Sequence, residues 1–187
     1  TFVYDKIAPD PSIITWMVAI SAIVSTFATF LMGTISDRIG KRRIFILMGY
    51  ILWGVSTICF GLTQFTIGAL GVTGAIILVV LADAVMSFFG SMGNDCGFSA
   101  WTTDISSPSN RGTIGTALAV QPVIATVSGS LVFGAILSAF STIEINGQKL
   151  DYVMLFLVVG IAIIIVGIIS FLLSKEGKDV IARKDET

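Results

Sequence analysis

Long apolar stretches, separated by short charged segments, make up most of this 187-residue chain. A helix of a soluble domain needs one apolar face, whereas a helix that crosses a bilayer core needs about 20 apolar residues in a row. Hydrophobic residues form 55% of the chain and charged residues 12%, which is far from the balance of a soluble domain. Because only a helix satisfies the backbone of a single segment inside lipid, the sequence predicts an all-α, polytopic membrane helix bundle.

Five stretches are long enough to cross the bilayer. We expect transmembrane helices at residues 13–35, 44–62, 72–100, 113–140 and 152–173. Residues 1–12 would then be a loop, 13–173 a five-span bundle and 174–187 a tail. Pro11 and Ser12 suit the start of the first helix. Since the chain begins at Thr1 without a methionine or a signal peptide, we expect a piece of a longer protein.

The basic residues predict the orientation of the bundle. If the five spans alternate, nine of the eleven Lys and Arg residues fall on one side and two, Lys6 and Lys149, on the other. Loops rich in Lys and Arg stay in the cytoplasm. We therefore expect residues 1–12 outside the cell, loops 33–43 and 101–112 inside, and a multi-pass location in the plasma or inner membrane. The cytoplasmic tail is either a linker to further helices or a solvated end.

The sequence GTISDRIGKRR, residues 33–43, is called the signature loop below and combines four basic side chains with an aspartate and two glycines. Orientation alone would need only scattered basic residues. Gly33 would let another helix approach closely, and Gly40 permits the left-handed backbone conformation that ends a helix. Asp37 can accept hydrogen bonds at a helix start or pair with an arginine, so the pattern favours a conformational latch.

Two motifs give the chain a family resemblance. The signature loop matches the pattern G-x-x-x-D-R-x-G-[RK]-[RK] at Gly33, Asp37, Arg38, Gly40, Lys41 and Arg42. The segment DISSPSNRG adds an acid, a proline and an Arg-Gly pair at Asp104, Pro108, Arg111 and Gly112. Both resemble the major facilitator superfamily of secondary transporters, and the surrounding sequence is most similar to prokaryotic members close to the sugar and cation symporters.

The resemblance implies five helices of a six-helix half, with the first span as the family's second helix. The same signature can recur in the second half, so the last five helices are the alternative. It also implies alternating access and missing helices of the same transporter as partners. In the expected latch, Arg38 or Arg42 pairs with Asp104, while Asp37 meets a helix start across the bundle and Arg111 belongs to the second cytoplasmic loop.

Polar residues inside the third span are the candidates for binding. At 100° per residue, Asp83, Ser87 and Asn94 share one helix face, and Asp95 lies on an adjoining stripe. A carboxylate at membrane depth costs a few kcal/mol, so such acids are functional candidates. Asp83 either exchanges a proton or helps to bind Na⁺, unless it is wetted or paired elsewhere. For Asp95, a structural bond to the loop arginines fits as well.

Other polar positions are weaker candidates. Gln121 precedes Pro122, which should bend the fourth helix and free a carbonyl beside a solute, although an interhelical bond suits the amide equally. Ser21, Ser25 and Thr29 recur every four residues on the first span, which favours helix packing over substrate contact.

Composition and motifs exclude several classes of function. The chain has no histidine, and its two cysteines lie in apolar segments, so we expect no metal site and no cofactor. It has no recognisable catalytic motif, which argues against an enzyme, and its net charge of −1 gives no reason to expect nucleic acid. We expect a secondary active transporter that moves a small solute with H⁺ or Na⁺ as a symporter; a passive facilitator or channel-like protein is the alternative.

Overall fold

The computed structural model describes residues 2–145 and 147–174, and it is almost entirely helical. The helices are α1 (Phe2–Lys6), α2 (Pro11–Ile39), α3 (Arg42–Leu62), α4 (Ile67–Ser91), α5 (Ser99–Ile105), α6 (Arg111–Ala139) and α7 (Asp151–Leu173). A 3₁₀ turn at Thr63–Thr66 precedes α4, and a π-helical segment at Met92–Phe98 joins α4 to α5. Strands β1 (Glu144–Ile145) and β2 (Gln148–Lys149) pair antiparallel before α7. The all-α prediction is confirmed, whereas the predicted tail lies, beyond Ser174, outside the described residues.

Within the described ranges, four helical stretches are long and apolar enough to cross a membrane: Pro11–Ile39, Arg42–Ile105, Arg111–Ala139 and Asp151–Leu173. The second of these covers both the second and the third predicted span. Gly93 packs on Gly49 and Gly90 packs on Trp53, so α3 and α4 run antiparallel and the chain reverses between them. Gly71, with φ 67° and ψ 175°, interrupts the helix one residue before the predicted start of the third span. The count of five crossings stays a prediction.

Helix ends differ from the predicted spans mainly on the side of the signature loop. The predicted start of α2 is confirmed, because Pro11 is its first residue and the Asp10 carboxylate accepts a hydrogen bond from the Ser12 N–H at 2.9 Å. The helices extend into the expected loops: Gly40 and Lys41 are the residues outside helices within 33–43, and 106–110 are those within 101–112. The helices therefore continue through charged residues, which a helix tolerates where it extends beyond an apolar stretch.

Glycines set the packing around α3. A Cβ atom on Gly54 would lie 2.6 Å from the carbonyl oxygen of Gly160 in α7, and one on Gly160 would lie 2.6 Å from the oxygen of Gly54. Gly61 packs on Phe156, so α3 and α7 run antiparallel. Helices in lipid associate through close van der Waals contact, which small residues allow. α3 is therefore the central helix, held between α4 and α7.

α2 and α6 flank this core differently. α2 runs parallel to α4, because successive positions of α2 contact positions of α4 and of the π-helical segment in the same order along the chain. α6 has no buried residue and its main contacts are with α7. Its apolar surface therefore suits lipid or additional helices.

The two ends of the bundle are chemically distinct. At the hairpin end, which comprises α1, the 3₁₀ turn and the β1–β2 hairpin, rings of Phe2, Phe60, Tyr152 and Phe156 pack with centroids 5.0–5.4 Å apart. At the signature-loop end, the end of α2, the start of α3 and the end of α5 bring charged side chains together. The candidate functional residues lie between and at these ends.

Candidate functional site

Asp83 lies at the interface between α4 and α2. It is 8% exposed, and its carboxylate accepts a hydrogen bond from the hydroxyl of Ser21. In the part of the chain that the structure describes, no lysine or arginine forms an ion pair with it. A buried carboxylate with one hydroxyl donor has unused acceptor capacity, so this position can bind a proton or a cation.

Hydroxyl groups continue from Asp83 along the same interface, and Ser21, Asp83, Ser25 and Ser91 together are called the polar row below. The Ser25 hydroxyl lies 2.7 Å from the hydroxyl of Ser91 and donates to the backbone carbonyl of Ser87 at 3.5 Å. One turn further on, the thiol of Cys96 donates to the carbonyl of Thr29 at 3.3 Å. The serines of α2 thus pack against α4, where Ser25 contacts the backbone of Ser87; a binding role for the Ser87 side chain stays a prediction.

Asn94 and Asp95 lie in the π-helical segment, and their hydrogen bonds in the described structure do not involve this row. A π-helix has more residues per turn than an α-helix. The residue that follows Ser91 on the α2-facing side is therefore Cys96, five positions on. Asn94 instead accepts a hydrogen bond from the Tyr50 hydroxyl of α3 at 3.5 Å, and Asp95 is exposed and accepts one from the Asn94 amide at 3.3 Å. The described contacts place the Asn94 side chain against α3, and the prediction that it shares a binding face with Asp83 stays a prediction.

Gln121 is also separate from Asp83. It is exposed on α6, where it lines a groove of about 450 Å³ with Ala117, Val120, Ile124 and Ala125. All of these residues belong to α6, which continues as a helix through Pro122. The described structure therefore does not bring Gln121 to the polar row.

Arg42 is the centre of the charged cluster at the signature-loop end. Its Nη2 lies 2.6 Å from a carboxylate oxygen of Asp37, and its Nε lies 3.2 Å from one of Asp104. Its Nη1 donates to the fully buried hydroxyl of Ser36 at 2.8 Å. The side chain of Arg42 is 17% exposed, that of Asp104 36% and that of Asp37 66%. This one guanidinium connects the ends of α2, α3 and α5.

The other residues of the predicted latch lie outside this cluster. Arg38, Lys41 and Arg111 are exposed, and Arg111 lines an open cavity of about 340 Å³ with Thr102, Thr103, Ser106, Ile114, Gly115 and Leu118. Gly40 ends α2 with φ 68°, which confirms its predicted left-handed conformation. A Cβ on Gly33 would meet nothing within 4 Å among the described residues, so the role of Gly33 in close helix packing stays a prediction. Asp37 pairs with Arg42 rather than with a helix start.

Arg43 contacts Phe171 of α7, and the sequence did not predict this contact. Its guanidinium donates to the carbonyl oxygen of Phe171 at 2.6 and 3.3 Å and lies 4.5 Å from the centre of that residue's ring. It therefore satisfies an open carbonyl near the end of α7. The useful signal was the run of adjacent basic residues, of which two face neighbouring helices.

Comparison with known proteins gives one positive result. The family model described as Major Facilitator Superfamily matches residues 1–186 of the chain. Comparisons with curated proteins and with solved structures gave no significant match.

Proposed function

We propose that this chain, which belongs to the Major Facilitator Superfamily, forms part of a secondary active transporter that couples the movement of a small solute to H⁺ or Na⁺. The family consists of membrane transporters, so the proposal starts from the transport of a solute across a membrane. Ion coupling and alternating access are the proposal.

The buried carboxylate of Asp83 is the observation on which the coupling depends. Burying an isolated charge among apolar helices is costly, and the described chain offers Asp83 no cationic partner. Binding a proton neutralises the group, and binding Na⁺ compensates its charge. Either event changes the charge at the α2–α4 interface, which gives one bundle conformation an advantage over another when the ion is bound.

The cluster around Arg42 supports a conformational role for the signature loop. A rocking motion needs each helical half to move as a unit around a central site. Arg42 connects three helix ends of this half through Ser36, Asp37 and Asp104. We propose that this cluster keeps the cytoplasmic ends of α2, α3 and α5 in one arrangement, that the bundle crosses the membrane five times, and that the signature-loop end faces the cytoplasm.

Uptake by the full-length protein in proteoliposomes tests the proposal. A thermal-shift screen of solutes first identifies one that binds. We expect its uptake above equilibrium to require an imposed H⁺ or Na⁺ gradient, and Asp83→Asn to abolish this accumulation while leaving equilibration. The matched control is Glu144→Gln, which neutralises an exposed acid on β1. Accumulation by Asp83→Asn at the wild-type level would contradict coupling through this residue, and wild-type equilibration without accumulation would indicate a passive facilitator.

A further inference from the structure

A polar cavity of about 260 Å³ lies at the hairpin end, away from both sites described above. It is open to one side and is lined by three segments that are distant in sequence: α1, the 3₁₀ turn and the β1–β2 hairpin. Its lining residues are Asp5, Lys6, Gln64, Gly147, Gln148 and Lys149. A water molecule occupies about 30 Å³ in the liquid, so the space exceeds what a single ordered water fills.

Gln64 is the buried polar group of this cavity. The residue is 2% exposed, and its amide Nε2 donates to the carbonyl of Lys149 at 3.2 Å. Its Oε1 atom is buried and has no hydrogen-bond partner in the described structure. A buried amide oxygen without a donor is unfavourable, and native proteins nearly always satisfy such groups. A donor supplied by a molecule in the cavity would satisfy it.

The charges of the wall restrict the nature of that molecule. Lys6 is already engaged, because its ammonium lies 2.9 Å from the carboxylate of Asp151 and donates to the Lys149 carbonyl at 3.4 Å. The hydrogen bond from the Tyr152 hydroxyl, at 2.6 Å, lowers the pKa of Asp5, so this carboxylate is ionised at neutral pH. A simple cation would meet two lysines in the wall, and a simple anion would meet a carboxylate and an orphaned amide oxygen.

The wall therefore offers acceptors and donors side by side. Gln64 and Asp5 provide acceptor oxygens, while the side chains of Gln148 and Lys149 can donate. We propose that this cavity binds a small, net-neutral polar molecule with both donor and acceptor groups, a polyol or a zwitterionic amino acid, which donates a hydrogen bond to Oε1 of Gln64. The site is independent of Asp83, so it goes beyond the proposed transport function.

Equilibrium dialysis of the purified full-length protein tests the inference, with isotope-labelled sorbitol and glycine as the two probes. We expect saturable binding of one of them, and the probe that binds distinguishes the polyol from the zwitterion. Labelled phosphate and sodium should not compete. Gln64→Leu removes the orphaned acceptor and should weaken binding by about tenfold or more. The matched control Tyr4→Phe removes an exposed hydroxyl of α1 that does not line the cavity, and it should bind normally.

Several results would overturn the inference. Absence of saturable binding of either probe to the wild type would mean that the cavity contains only water. Equal binding by the wild type and Gln64→Leu would place the bound probe elsewhere. If Gln64→Leu does not fold, Gln148→Ala changes an exposed wall residue and should still weaken binding by a few fold. Asp83→Asn should retain the binding, which separates failure of this site from failure of ion coupling.

Discussion

Replacing Gly160 by alanine should destabilise the bundle, because this glycine lies where α7 crosses α3. The added Cβ would lie 2.6 Å from the carbonyl oxygen of Gly54 and 2.5 Å from Cγ1 of Ile58. Carbon atoms in normal contact are about 3.5–4.0 Å apart, so the helices must separate by about 1 Å. The Ile58 side chain can rotate away, but the Gly54 carbonyl belongs to the helix backbone and cannot. Overpacking of this kind costs about 1–3 kcal/mol.

The gain in helix propensity from glycine to alanine, at most about 1 kcal/mol, only partly offsets this cost. We therefore expect Gly160→Ala to lower the unfolding temperature of the full-length protein in detergent, followed by circular dichroism. Gly68→Ala is the matched control, because Gly68 is helical and exposed and a Cβ there would meet nothing within 4 Å. If Gly160→Ala unfolded at the same temperature as Gly68→Ala or above it, the close α3–α7 approach would be refuted.

Further predictions concern charged groups at the two ends of the bundle. Asp104→Asn should destabilise the full-length protein more than Asp37→Asn, because the side chain of Asp104 is 36% exposed and that of Asp37 is 66% exposed. A well-solvated ion pair contributes less than about 1 kcal/mol to stability. Equal effects of the two substitutions in thermal unfolding would contradict this ranking. The hydrogen bond from the Tyr152 hydroxyl lowers the pKa of Asp5 in the folded protein. The contribution of this hydrogen bond to stability should therefore be complete above the ordinary pKa of 3.8 and disappear as the pH falls through the lowered pKa of the folded state. The difference in unfolding temperature between wild type and Tyr152→Phe, measured across pH 2–6, should therefore shrink towards low pH, and a difference independent of pH would refute the contact.

Features that depend on local sequence were predictable. The apolar stretches predicted the ends of the long helical stretches to within about five residues. Pro11 and Gly40 indicated the two ends of α2, because helix caps and breaks depend on neighbouring residues. Asp83 stood out because a carboxylate is rare within an apolar span. Its partner Ser21 lies on the periodic face of α2 that the sequence assigned to packing.

Features that depend on distant contacts or on irregular backbone were not predictable. The π-helical segment at Met92–Phe98 changes which residues face α2, and hydrophobic periodicity assumes a regular α-helix. The choice of Arg42 over Arg38 as the partner of Asp104 depends on how the three helix ends meet. The cavity at Gln64 forms where α1, the 3₁₀ turn and the β1–β2 hairpin meet, and no local pattern in the sequence indicates that these three segments approach each other.

Solute-evoked ion movement in proteoliposomes tests the central claim most directly. When a solute gradient is the driving force and no ion gradient is imposed, the full-length protein should move H⁺ or Na⁺ together with the solute. Asp83→Asn should move the solute without the ion, whereas Glu144→Gln should move both. If Asp83→Asn moved as many ions per solute molecule as the wild type does, the assignment of coupling to the buried carboxylate would be contradicted.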